Sequence, residues 1–208
     1  PDALPSRRAF IAAMAPPGVE VVNQGVGGWT SFHIRKFLDG HADSLNAEVW
    51  TLFLGVNEKM PSPMSFADLY EVWLSGGLGQ QFAVLDNIRL FQGLRLLVRG
   101  IQPGAGAGVP PEDFQENLEH IITLAQQRGA KVLLMSEGIR PDHQILWRYA
   151  EVMDQVAQGK QNVHYLDTAL VLDEVGDRAF IDSNHLNETG HRTMAMALKT
   201  ELNSLGWW

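Results

Sequence analysis

The 208-residue sequence contains no cysteine. Disulfides, thiolate metal sites and a cysteine nucleophile are therefore excluded, while cytoplasm, periplasm and export all stay open as compartments. Charge is scarce, at 19% of residues, and the balance is acidic, with a formal net charge of -8 and a pI near 5.3. Nucleic-acid affinity rests on Lys and Arg neutralising phosphates, and no run of five basic residues occurs. No nucleic-acid partner is expected. Long apolar runs are missing too, each being broken by charge or glycine before the roughly 18 to 20 residues that span a bilayer. No basic-then-apolar leader opens the chain, so no membrane span is expected and localisation stays undetermined.

What the chain does have is apolar residues, 45% of the total, enough for one sizeable core over residues 1–208 and too few positions for two. Short β-rich runs alternate with longer amphipathic segments. That alternation predicts an α/β fold, a three-layer sandwich in which helices cover both faces of a mostly parallel sheet. Strands are predicted over Val19 to Asn23, Val49 to Leu54, Lys131 to Ser136 and Val163 to Asp167. Helices are predicted over Ser6 to Ala15, Thr30 to His41, Pro111 to Arg128, Asp142 to Gln158 and Thr189 to Leu205. The prolines at 110 and 111 suit a helix start, and Gly129 suits its C-terminal cap. Residues 60–110, with Gly-rich stretches at 76–79 and 104–108 and a helical segment near Asp86 to Arg99, read as an insertion over the site or against a partner.

Three short blocks carry chemistry. In Asn23-Gln24-Gly25-Val26-Gly27-Gly28-Trp29-Thr30, glycines permit a tight turn that exposes N–H groups able to cradle an anion. A plain strand-to-helix turn has the same composition, and neither a dinucleotide fingerprint nor a phosphate loop is present. In Leu52-Phe53-Leu54-Gly55-Val56-Asn57-Glu58, an apolar strand delivers Asn57 just past its end. There its amide can donate to developing negative charge or cap the next turn. In Asp182-Ser183-Asn184-His185, an acid three residues before a base can orient the imidazole, fix its tautomer and stabilise the imidazolium. The alternative is an Asp turn beside a surface His, and a metal would need more ligands than this pair supplies. His191 reads as a packing or capping residue, and His33, His41, His120, His143 and His164 as structural or solvated.

Together these blocks resemble the SGNH hydrolases, the GDSL esterase and lipase family, whose fold is flavodoxin-like. The resemblance implies a Ser-His-Asp ester hydrolase. It assigns His185 as catalytic base, Asp182 as its orienting acid, Gly28 as the backbone oxyanion donor and Asn57 as the side-chain donor, with no metal or organic cofactor. The substrate it implies is a small-molecule or glycan ester. Glu58 stands where the third block ordinarily has Asp, and the same charge and role are expected of it. The family's Gly-Asp-Ser block is not found. Ser6 sits in a helix start, Ser31 follows the oxyanion turn and Ser136 ends a strand, none in the family's context. The expectation is that the first strand, with its nucleophile, lies upstream of residue 1, and that its absence exposes apolar faces on neighbouring strands. Ser136, Glu137 and Arg140 are candidates to line the substrate pocket. Carbohydrate O-acetyl transfer or deacetylation is the alternative activity, and a noncatalytic glycan- or protein-binding domain the alternative class.

Overall fold

The computed structural model of the protein describes residues 14–62, 65, 106–137 and 144–208. Apart from its last two residues, the helix expected over Ser6 to Ala15 lies outside them, as do the segment Asp86 to Arg99, most of the 60–110 stretch, and Arg140.

A parallel sheet forms the framework. Its strands are β1 (Val49–Leu54), β4 (Lys131–Ser136) and β5 (Val163–Leu166), in the order β1-β4-β5. Residues Val49 and Leu54 align with Lys131 and Ser136 at the two ends of the β1–β4 pairing. A short antiparallel ladder, β2 (Pro61–Ser62) with β3 (Gly106–Ala107), brings together the two ends of the 60–110 stretch. Nearby, Gly108 N–H donates to the Met60 carbonyl at 2.8 Å and Val109 N–H to the Glu58 carbonyl at 3.1 Å.

The helices are α1 (Ser31–His41), α2 (Pro111–Gln127), α3 (Gln144–Ala157), α4 (Thr168–Asp173) and α5 (Glu188–Ser204). Central β4 is Lys-Val-Leu-Leu-Met-Ser, and every residue after Lys131 is buried. Such an unbroken apolar run is what a parallel strand covered on both faces requires. Val132 and Leu134 join Trp50, Leu52 and Leu54 of β1 in a core closed by Leu38 of α1, Phe114, Leu118 and Ile121 of α2, and Tyr149 and Met153 of α3. Leu133 and Met135 face the other way, against Leu172, Phe180 and Leu186, and against Met194, Leu198 and Leu202 of α5. These are the two outer layers of the sandwich.

β1 is different. Trp50, Leu52 and Leu54 are buried while Thr51 and Phe53 are exposed, Phe53 to 38%. Among the described residues its edge opposite β4 has no pairing partner. Val19 to Asn23, expected as a strand, forms none. Val22 is 62% exposed, and the Val19 N–H turns back to the Pro16 carbonyl. A β-branched run has strand propensity only in the company of a neighbouring edge, and no neighbour reaches it among the described residues.

The direction of α5 places the chemistry. His164 Nε2, on the second residue of β5, pairs with Glu201 Oε1 at 2.7 Å. The Lys131 ammonium at the start of β4 stands 5.8 Å from the ring of Trp207, beyond the end of α5. The C-terminal end of α5 therefore lies at the amino ends of the strands, and its N-terminus, with the loop that feeds it, lies at their carboxyl ends.

Leu134 has no exposed surface and sits in the central strand. Leu134→Ala is expected to lower unfolding free energy by about 2–5 kcal/mol, read as a lower urea midpoint at unchanged slope.

Candidate active site

Two pairs of candidate residues gather at the carboxyl edge of the sheet. The first is built by the loop 180–187. Phe180 and Leu186 form an isolated antiparallel bridge, and Ile181 N–H donates to the His185 carbonyl at 2.7 Å, so the chain doubles back tightly. Inside this turn Asp182 Oδ1 accepts the N–H groups of Asn184 at 3.0 Å and His185 at 2.8 Å. Its Oδ2 lies 2.8 Å from His185 Nδ1. The backbone donors are the main reason that the Asp182 carboxyl is held down to about 2, with the His185 side-chain bond adding to them. With Nδ1 engaged by a carboxylate, Nε2 is the nitrogen left for proton transfer. Both side chains are more than half exposed, so the pairing rests on loop geometry rather than on burial.

The anchor of this loop is the start of α5. Asn187 caps the helix by accepting Gly190 N–H at 3.1 Å, and its amide donates to the carbonyls of Arg178 at 2.8 Å and Phe180 at 3.3 Å. A Cβ on Gly190 would stand 2.3 Å from the Ala179 carbonyl oxygen. Only glycine lets the helix approach the end of the 3-10 turn Gly176–Ala179 so closely.

The second pair comes from the turn before α1 and the loop after β1. Gly28 has φ +83 with nothing within 4 Å of a notional Cβ, so the requirement for glycine is conformational, not steric. Trp29 N–H closes the turn onto the Val26 carbonyl at 3.3 Å. Asn57 Nδ2 donates to the Trp29 carbonyl at 3.0 Å. One amide hydrogen is thus used to aim the group beside the glycine turn, and the other is available as a donor.

Glu58 departs from its expected part. Its side chain is fully buried. Burial pushes its carboxyl up to about 8, against the opposing pull of the Ser31 N–H, with repulsion from Glu137 adding to the rise. The same-charge expectation therefore fails at neutral pH, where the group carries a proton. Oε1 accepts Ser31 N–H at 2.8 Å, and Oε2 is 3.4 Å from Ser31 Oγ. Ser31 Oγ also accepts from Asn117 Nδ2 at 3.2 Å, and Asn117 Oδ1 accepts from Arg35 at 3.2 Å. Glu137, just past β4, takes the Val56 N–H.

Five of the described serines bond away from His185. Ser31 belongs to the Glu58 cluster, and Ser136 Oγ takes bonds from Tyr165 and from Thr168 N–H. Ser44 and Ser204 bond to the carbonyls of His41 and Glu201, and Ser183 to Asn184. Ser136 thus links β4, β5 and α4. His33 caps α1 with Thr30, its Nδ1 lying 2.7 Å from Thr30 Oγ1. Sequence reasoning missed Asn117 and Asn187. Asn117 falls on the same face of α2 as Phe114, Leu118 and Ile121, and a polar residue inside an apolar stripe was the available signal.

Among solved structures, an acetyl-xylooligosaccharide esterase mutant of Axe2 from Geobacillus stearothermophilus superposes with a TM-score of 0.64 at 16% identity, covering 94% of this chain and 80% of that one. The acetyl xylan esterase AlAXEase gives 0.58 at 18%, covering 88% and 81%. A family 3 carbohydrate esterase of Clostridium thermocellum gives 0.51 at 15%, covering 88% and 69%. Identities this low establish a shared fold. No curated protein sequence matches the chain. The model of the GDSL-like Lipase/Acylhydrolase family matches residues 2–193.

Two outcomes check this geometry. Gly190→Ala is expected to destabilise by about 1–3 kcal/mol or more through overpacking, and to weaken the Asp182–His185 pairing, seen as loss of the downfield imidazole proton signal. Glu58 binds a proton in the native state up to about pH 8, whereas an unfolded carboxyl releases it near 4.5. Native protons then exceed unfolded ones between those values, so this group makes stability fall as pH rises through that window. Denaturation midpoints of Glu58→Gln, compared with the parent from pH 5 to 8, should lack that part of the decline.

Proposed function

The chain belongs to the GDSL-like lipase/acylhydrolase family, a family of carboxylic ester hydrolases, and on that premise we propose that it cleaves acetyl esters carried by carbohydrates. The observation that carries the site assignment is the bond of Asp182 Oδ2 to His185 Nδ1 in a loop delivered to the carboxyl edge of the sheet. Support for the roles comes from the Axe2 structures, whose catalytic mutants replace a serine, an aspartate and a histidine. The last two are three positions apart, the spacing of Asp182 and His185.

In this reading a serine hydroxyl attacks the ester carbonyl while His185 Nε2 takes its proton. Asp182 keeps the imidazole in the tautomer that can do so and stabilises the imidazolium. The carbonyl oxygen becomes an anion, held by the Gly28 N–H and the free hydrogen of Asn57 Nδ2. Collapse expels the sugar alkoxide, which leaves with the proton from His185. Water then repeats the sequence on the acyl-enzyme and releases acetate. A sugar hydroxyl in place of water would give acetyl transfer by the same steps.

The nucleophile is assigned to a strand seated against the open edge of β1. That edge is unpaired among the described residues, and Phe53 beside it is exposed. A parallel strand there would end at the carboxyl edge of the sheet, the edge that also carries Asn57 and the His185 loop. It would also supply the neighbour that Val19 to Asn23 lacks.

The test is hydrolysis of p-nitrophenyl acetate and release of acetate from acetylated xylooligosaccharides, using the protein translated from its full open reading frame. His185→Ala is expected to cut kcat on the order of 10^4- to 10^6-fold. Asn57→Ala is expected to cut it by about 100- to 1000-fold. Turnover that survives His185→Ala would remove the assignment, and xylooligosaccharide acetate left intact beside active p-nitrophenyl acetate turnover would move the substrate away from carbohydrates.

A further inference from the structure

Asn57 sits between two residues that each take part in a carboxyl hydrogen bond. On one side, the Val56 N–H donates to Glu137, which reaches across from the end of β4. On the other, Glu58 turns inward and accepts the first N–H of α1, from Ser31, at 2.8 Å. The Asn57 amide holds the Trp29 carbonyl at 3.0 Å. These bonds close a ring. It runs from the Asn57 amide to Trp29, along the chain to Ser31, from the Ser31 N–H to the Glu58 carboxyl, and back one residue to Asn57. Glu137 fastens the ring to the sheet, since its own N–H donates to the Leu54 carbonyl at 3.0 Å.

Resting on the assignment of Asn57 as an oxyanion donor, we propose that Glu58 and Glu137 are paired positioning residues: Glu137 holds the Val56 N–H just before the donor, Glu58 just after it holds the Ser31 N–H of α1, and together they fix where the Asn57 amide points. Neither carboxyl touches the substrate in this arrangement. Glu137 acts through the backbone before Asn57, and Glu58 through the tie it makes from the residue after Asn57 to α1.

The pair has an electrostatic constraint. An anion develops at the Asn57 amide during the reaction, and two ionised carboxylates flanking that point would oppose it. A proton on Glu58 removes one of the charges, and burial together with repulsion from Glu137 keeps that proton in place up to about pH 8. The other groups around Glu58 do not compensate its ionisation. Tyr149 of α3 is itself pushed up to about 12, chiefly by burial, and stays neutral. α2 presents the neutral amide of Asn117, and Arg35 of α1 reaches that amide rather than the carboxyl. Above pH 8 the ionised Glu58 repels Glu137 across Asn57 and displaces the donor between them, while its bond to the Ser31 N–H tightens.

The experiment uses the protein from its full reading frame, with Glu58→Gln, Glu58→Ala, Glu137→Gln and Glu137→Ala. Parent kcat is expected to decline above about pH 8 with KM little changed, and Glu58→Gln, which keeps an acceptor for Ser31 and cannot ionise, to abolish the decline. Both alanine variants should lose kcat by up to about 100-fold, the cost of a displaced catalytic group, with partial recovery in the glutamine forms. The Asn57 side-chain amide signal, followed by 15N NMR, should shift across pH 8 in the parent and stay still in Glu58→Gln. That signal reads the ring without any turnover. A parent whose activity ignores His185→Ala and Asn57→Ala would overturn the proposed function while the titration still decides the positioning. An Asn57 signal that does not move, with a Glu58→Gln profile superimposable on the parent, would overturn the positioning role.

Discussion

The buried carboxyl of Glu58 is the point on which the carboxyl edge of the sheet is organised. A carboxyl without exposed surface incurs a desolvation cost that grows steeply if it ionises, and the protein meets this by leaving it protonated at neutral pH. The acid then works as a neutral hydrogen-bonding group. It joins the loop after β1 to the N-terminus of α1 through Ser31, and Ser31 passes the connection to Asn117 of α2. Three elements far apart in sequence are thus joined through the Glu58 and Ser31 side chains. The Glu58 carbonyl adds a fourth tie, since it accepts the Val109 N–H where the 60–110 stretch rejoins the fold.

The two candidate halves of the site are held by different physics. Asp182 and His185 are neighbours on one tight turn, braced by backbone donors to Asp182 and by the cap that Asn187 gives to α5. Both side chains are more than half exposed. Gly28 and Asn57 meet only because α1 packs against the end of β1, through bonds that span 27 and 28 positions in sequence. What brings the halves to one edge is the antiparallel run of α5 against the strands, fixed by His164 with Glu201 at the opposite end.

That division also explains what the sequence could tell. The strands at Val49, Lys131 and Val163 and the helices beginning at Ser31, Pro111 and Glu188 were legible to within a residue or two, because their signals are local: an apolar run, a proline, a cap. The Asp182–His185 contact was legible for the same reason, as an acid and a base on one turn. Val19 to Asn23 was not, because its strand character depends on a neighbouring edge. The protonated state of Glu58 was equally hidden, since it arises from burial and from Glu137, 79 positions further on. Asn117 needed the register of α2 against α1 before its place beside Ser31 had meaning.

A consequence follows for how such a site tolerates change. The proton-transfer half depends on a loop whose partners all lie between Arg178 and Gly190, so it could be rebuilt by local substitutions. The anion-binding half depends on the packing of α1, β1, α2 and β4 at once. Replacing Glu58 by an acid one methylene shorter, as the resemblance would have had it, would withdraw the carboxyl from the Ser31 N–H unless α1 moved toward β1. Ser31 and Asn117 would have to follow, and with them Trp29, whose carbonyl aims the Asn57 amide. The longer side chain and the buried Ser31–Asn117 pair therefore work as one unit, in which the acid spans the gap from the loop after β1 to the first N–H of α1.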